Sequence, residues 1–240
     1  MIVLTYLGIA LSGLSAGLLV NYLADVLPTH RQLAKPLWWP LSGLSQIAQY
    51  LLPARVLFVQ LIFLALAFFF YRNDLESWPL WQLLITLLYF AVVIVIDIEH
   101  RLILHSVSLS GAILLGGIGI LRHGWQSTLS GGVAGFAILL ALYWLGGVFS
   151  NWIAKRRGQQ LEEIVLGFGD VNLAGVIGLL LGWPAVIGAL ILGIFLGGLF
   201  SLGYILVALA RGRYQAFAAI PYGPFLSLGA ILLIALRAYF

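Results

Sequence analysis

Apolar residues in this chain come in long runs separated by short polar stretches. The runs are Ile2 to Ala24, Arg55 to Tyr71, Pro79 to Ile96, Ser106 to Leu121, Thr128 to Phe149, Val171 to Leu181, Ala185 to Ala210 and Ile220 to Tyr239. A helix that crosses a bilayer needs roughly 20 such residues. The pattern therefore predicts an all-α polytopic bundle of about eight transmembrane helices, with residues 1–240 forming one integral membrane domain. The run from Val171 to Leu181 is short, which suits a tilted helix or one sheltered by its neighbours. The stretch from Asp25 to Pro53 is broken by Pro28, Pro36, Pro40 and Pro53 and reads as a short cytoplasmic loop. Its Trp38 and Trp39 suit the membrane–water interface.

Composition points the same way. The 240 residues are 62% hydrophobic and 8% charged, with mean hydropathy +1.09. A soluble domain carries about 25% charged residues, and no water-soluble fold of this size could hide so much apolar surface. The chain has no cysteine, which excludes disulfides, thiolate metal sites and cysteine nucleophiles. The net charge of +4 is spread among the runs, which favours loops facing an anionic leaflet over nucleic-acid binding. The first run starts at Ile2 without a basic leader and is long enough to span, so it is expected to direct insertion itself.

Lys and Arg set the orientation. With the loop after the first span in the cytoplasm, Arg31, Lys35, Arg55, Arg101, Lys155, Arg156, Arg157, Arg211 and Arg213 fall on that side, and only Arg72, Arg122 and Arg237 fall outside. Both termini are then outside the cytoplasm. Glycines four apart recur at Gly13 and Gly17, Gly131 and Gly135, Gly178 and Gly182, and Gly193 and Gly197. In lipid such pairs let helix backbones pack closely.

Among the few acidic residues, Asp74 and Glu76 read as solvated in a short outer loop, and Glu162 and Glu163 balance Lys155, Arg156 and Arg157. Asp97 and Asp170 differ. Asp97 ends the apolar run in "AVVIVIDIEHRLI", and Asp170 closes "GFGD" and opens "VNLAGVIGLLLGW". Each sits at the cytoplasmic end of a span, where an ionisable group is costly and reads as functional. Two carboxyl groups at one membrane face can share a proton, because like charges a few ångströms apart cannot both ionise easily. The ionised member can take a proton from water while the protonated member polarises a peptide carbonyl. That chemistry hydrolyses a peptide without metal or covalent intermediate. Gly167 and Gly169 leave room for close approach to Asp170, and the start of a helix favours its negative charge.

"GFGDVNLAGVIGLLLGW", "DIEHRLI" and "IPYGPFLSLGAI" (Ile220 to Ile231) together resemble the signatures of prepilin peptidases, the type IV prepilin leader peptidases of the G-x-G-D aspartic protease class. "GLLVNYLADVLP" is similar to the family's first-span motif, through Asn21, Leu27 and Pro28. The resemblance implies that Asp97 and Asp170 are the catalytic pair. It implies an enzyme of the inner (cytoplasmic) membrane, with its active site facing the cytoplasm. The implied substrate is a type IV prepilin or pseudopilin, with a basic leader followed by an apolar helix, cut after a glycine before that helix. Many members carry two Cys-x-x-Cys pairs, thought to bind zinc, in the first cytoplasmic loop; this chain has none. The residue after Asp-Val is commonly Lys and here is Asn172, and Leu104 and His105 stand where Pro is frequent. The peptidase is expected to need no cofactor and no metal. S-adenosylmethionine enters only if the family's second activity, N-methylation of the new N-terminus, is retained.

Two other readings compete. A transporter could use the same aspartates for protons or a cation, but transport sites favour the midplane and broken helices. "GLSAG" (Gly13 to Gly17) matches a serine nucleophile string, yet that motif needs a strand-to-helix turn and Ser15 lies in an apolar helix. Of the four histidines, His30, His100, His105 and His123, His100 and His105 lie close to Asp97 in sequence and are candidates to tune it; as a metal pair they lack an obvious third ligand.

Overall fold

A computed structural model describes residues 2–30, 54–72, 78–157, 167–212 and 220–237. Its regular elements are all helical: α1 (Ile2–His30), α2 (Ala54–Arg72), α3 (Leu80–His100), α4 (His105–Arg157), α5 (Phe168–Leu181), α6 (Ala185–Ala210) and α7 (Gly223–Arg237). The all-α expectation stands, and the protein is a multi-pass membrane protein. Among the described residues, four segments are long and apolar enough to cross a bilayer, namely Ala10–Pro28, Leu80–His100, His105–Val148 and Ala185–Ala210, and three shorter apolar helices accompany them. His105–Val148 contains a non-helical residue at Gly124, so this one segment holds two of the expected apolar runs.

The helix bounds follow the runs closely, with two differences. First, α1 continues past Ala24 to His30, so residues 25–30 are helical rather than loop, despite Pro28. Ala24 and Val26 are buried. Pro28 has no amide hydrogen to give to the carbonyl four residues earlier, so the last turn of α1 goes without that bond. The rest of the expected loop, with Trp38 and Trp39, lies outside the described residues, as do Asp74, Glu76, Glu162 and Glu163. Second, the two expected spans at 106–121 and 128–149 follow each other without a loop: α4 holds two helical arms that meet at Gly124, whose φ of 79 and ψ of 164 are not helical. That backbone conformation is one glycine adopts freely.

Contacts divide the chain into two compact units, Met1–Ile96 and Asp97–Phe240. In the first, α1 packs on α2, and a Cβ on Gly17 would lie 3.0 Å from the Gln60 Cα.

In the second unit, α5 is wedged against both arms of α4. Gly135 meets Ala174 and Gly131 meets Gly178 and Gly182, so the second arm of α4 runs antiparallel to α5. Gly169 meets Ile103 and Gly119 meets Leu179, so the first arm runs parallel to it. The corner at Gly124 is tied to the far end of α5. The Trp183 amide donates to the Ser127 carbonyl at 3.0 Å, Ser127 Oγ donates to the Trp183 carbonyl at 3.0 Å, and His123 Nε2 donates to the Leu180 carbonyl at 3.0 Å. His123 is therefore a structural clamp. Gly193 meets Leu226, and Gly229 meets Ala189, which makes α6 and α7 antiparallel.

The surface is apolar. Leu109, Ile113, Val133 and Trp144 are each more than 60% exposed, whereas Asp97, Ser108, Thr128, Asp170 and Ser227 are buried. That arrangement suits lipid as solvent.

A matched pair of substitutions tests the glycine contacts. A Cβ on Gly178 would strike the Gly131 carbonyl oxygen, whereas one on Gly117 meets open space. Gly178→Ala should destabilise the protein by about 1–3 kcal/mol through overpacking. Gly117→Ala should be neutral or stabilise by up to about 1 kcal/mol through helix propensity. Unfolding in detergent micelles, followed by tryptophan fluorescence, reads both signs.

Candidate active site

Asp97 occupies the last turn of α3 and is 5% exposed. The helix stops there because Arg101 adopts φ 52, with its amide donating to the Asp97 carbonyl at 2.9 Å. A non-glycine residue in this left-handed region costs roughly 1 kcal/mol. Four non-helical residues, 101–104, separate the end of α3 from the start of α4. The Asp97 carboxylate is met from far along the chain. The Gly223 amide, at the start of α7, donates to Asp97 Oδ2 at 2.9 Å. A Cβ on Gly223 would stand 2.7 Å from that oxygen, so any side chain there would displace the carboxylate.

Asp170 lies in the first turn of α5, three residues after the cap Gly167. The Asp170 amide donates to the Gly167 carbonyl at 3.1 Å, and the Gly167 amide donates to Asp170 Oδ2 at 3.1 Å. The helix thereby folds its own acidic side chain back over its free N-terminal amides, where negative charge is favoured. The two motif glycines serve different purposes. A Cβ on Gly169 would lie 2.8 Å from the Ile103 Cβ, so packing demands glycine there. A Cβ on Gly167 would make only ordinary contact with Asp170, at 3.4 Å. What the fold takes from Gly167 is its amide.

Ile103 joins these two arrangements. Besides underlying Gly169, its Cδ1 would lie 3.2 Å from a Cβ on Gly223. The turn at 101–104, the start of α5 and the start of α7 therefore meet at one end of the second unit, and the Asp97 and Asp170 carboxyls lie within electrostatic reach of each other. Tyr222 faces the same place. Burial, and then the negative charge of Asp170, pushes its phenol upward, so its O–H stays protonated and able to donate. Its ring packs beside Gly197 and edge-on to Phe225.

Ile103, Tyr222 and Gly223 have no role in the sequence reading, although the last two stand inside the motif "IPYGPFLSLGAI". His100 and His105 are exposed, and neither is hydrogen-bonded to Asp97 among the described residues. Ser15 Oγ donates to the Ser12 carbonyl at 3.0 Å on the exposed face of α1, far from any nucleophile elbow.

Comparison with known proteins covers both aspartates. The profile of the type IV leader peptidase family matches residues 83–202. A prepilin leader peptidase/N-methyltransferase of Aeromonas salmonicida (strain A449) is 28% identical over 196 residues, which is 80% of this chain and 61% of that relative. The protein of the same name from Aeromonas hydrophila is 31% identical over 98 residues, 41% of this chain and 29% of the relative. The chain thus spans less than two thirds of the length of these relatives. No solved structure matches significantly. With the matched segment running from within α3 through α4 and α5 into α6, and so holding both glycine-bound carboxyls, the chain belongs to the type IV leader peptidase family.

Proposed function

We propose that this protein is an aspartic endopeptidase of the inner (cytoplasmic) membrane that removes the leader peptide of type IV prepilins or pseudopilins at the cytoplasmic face. The observation that carries the reading is the pair of buried carboxyls, each accepting a glycine amide, at one end of one compact unit. The exposed Arg101, beside this end, agrees with a cytoplasmic orientation.

In this mechanism one aspartate is ionised and takes a proton from water as that water attacks the scissile carbonyl carbon. The other is protonated and gives its proton to the carbonyl oxygen. The resulting tetrahedral diol collapses, the C–N bond breaks, and the leaving nitrogen takes a proton from the pair. The amides of Gly167 and Gly223 hold one oxygen of each carboxyl in place, which leaves the other oxygen for water and substrate. Tyr222 is available to orient the same groups.

Asp97→Asn and Asp170→Asn should each lower the cleavage rate by more than about a hundredfold while the protein still inserts and folds, because either change removes one half of an acid–base pair. Cleavage of a prepilin by purified protein, followed by gel shift, measures this. Near-normal turnover by either variant would take that residue out of the mechanism.

The pair also sets the pH response. At low pH both carboxyls are protonated and no base remains, and at high pH both are ionised and no acid remains. The rate should therefore be bell-shaped, with limbs that belong to the pair and not to one residue. It should be unaffected by EDTA. Loss on chelation with recovery on adding zinc would argue for a metal mechanism instead.

Methyl transfer from S-adenosylmethionine to the new N-terminus, the second activity in the relatives' names, is expected to be weak or absent here. The motivation is the absence of every cysteine that could clip the first cytoplasmic loop with zinc. Mass spectrometry of pilin processed in the presence of S-adenosylmethionine gives the answer. One added methyl group per chain, dependent on the enzyme, would reverse this expectation.

A further inference from the structure

A groove of about 740 Å³ opens between the two arms of α4 and along α5. Its walls are helix stripes. Leu109 and Ala112 come from the first arm, Val133 and Ala137 from the second, and Asn172 and Val176 from α5. The groove begins beside the candidate active site, since Phe168 and Asn172, which flank Asp170, both line it. It then follows α5 as far as Leu179, a path of about 16 Å at the rise of an α-helix. Phe168 is braced at its mouth by edge contacts with Phe136 and Tyr143, with ring centroids 6.3 and 6.1 Å away.

One polar atom in this groove is unaccounted for. Ser108 lines it and is 8% exposed, and its Oγ has no hydrogen-bond partner among the described residues. Several small hydroxyls on α4 bond back to their own backbone, as Thr128 does to Gly124, Ser110 to Val107 and Ser130 to Gln126. A buried hydroxyl left unpaired is costly, so Ser108 points to an occupant that brings a polar group to its level.

We propose that the groove seats the apolar helix that follows the scissile bond of the substrate, with the first turn of that helix level with Ser108 and Asn172. This rests on the peptidase reading above. Apolar stripes spaced three and four residues apart are the surface into which a partner helix packs. The first turn of a helix also carries amides with no partner inside the helix. Ser108 Oγ and the Asn172 side-chain oxygen can accept from them at the end of the groove nearest Asp170. The peptide bond just before that helix would then arrive beside the two carboxyls. A lipid acyl chain fits the walls equally well but offers nothing to Ser108.

The test uses the full-length protein in proteoliposomes and a synthetic prepilin-type peptide, with a basic leader and an apolar helix of roughly 20 residues. A photoreactive benzoylphenylalanine replaces Ala137 in the groove or, as control, Ile113, which is exposed but does not line it. The background is Asp170→Asn, so binding is read without cleavage. Adducts to the apolar helix of the peptide should form from position 137 and not from position 113. Adducts to phospholipid alone at position 137, or equal peptide adducts from both positions, overturn the proposal. In the active protein, Val133→Trp should raise KM for the full peptide roughly tenfold with little change in kcat, and should leave cleavage of a truncated peptide without the apolar helix unchanged. Equal loss on both peptides overturns the groove assignment. A wild-type protein that cleaves neither peptide yet crosslinks at position 137 counts against the peptidase reading and not against the groove.

Discussion

The hydrogen bond from the Gly223 amide to the Asp97 carboxylate is the contact on which this end of the protein depends. A carboxyl group near the end of an apolar helix has few donors within reach, and its charge is costly there. The donor here is backbone, and backbone can come this close only where a side chain is missing. Gly223 satisfies that condition, and Ile103 fills the space that remains between it and Gly169. Once α7 starts against Asp97 and α5 starts against Ile103, Asp170 has no freedom to sit elsewhere. Its own helix then supplies the amide that holds it.

Glycine has a second task deeper in the same unit. Helices that are equally apolar all round gain little from the hydrophobic effect when they associate in lipid, so close packing must supply the attraction. Gly131, Gly135 and Gly178 provide it between α4 and α5, and Gly193 and Gly229 between α6 and α7. The bend at Gly124 and the bonds from Ser127 and His123 fix where α5 ends. With α5 fixed at its far end by this corner and at its near end by Ile103, the groove beside it has rigid walls. Those walls lead to Asp170.

Much of this was legible in the chain before any coordinates. Apolar length announces a spanning helix whatever the helix packs against, so most helix bounds differ from the apolar runs by only a few residues. Asp97 and Asp170 stood out because charge is rare in such runs. The glycine pairs announced close packing because a missing side chain has few other uses inside a bilayer helix. Bends and helix ends were less legible. The loop-free corner at Gly124 and the extension of α1 past Pro28 depend on contacts, and no local pattern encodes those.

By itself the sequence determined the solvent, the helical class, the two carboxyl groups and the family they belong to. Each of these follows from which residues are present and how far apart they stand. Tertiary structure alone decided which backbone amide holds Asp97, because its donor lies 126 residues away. It also decided that Gly169 is required by packing on Ile103 while Gly167 is used for its amide, a distinction two identical residues cannot reveal. And it decided that Ser108, one hydroxyl among several on α4, is the one left unpaired in a groove. Residue type and spacing are properties of the chain, whereas a hydrogen bond between distant residues exists only when the folded backbone brings donor and acceptor within about 3 Å.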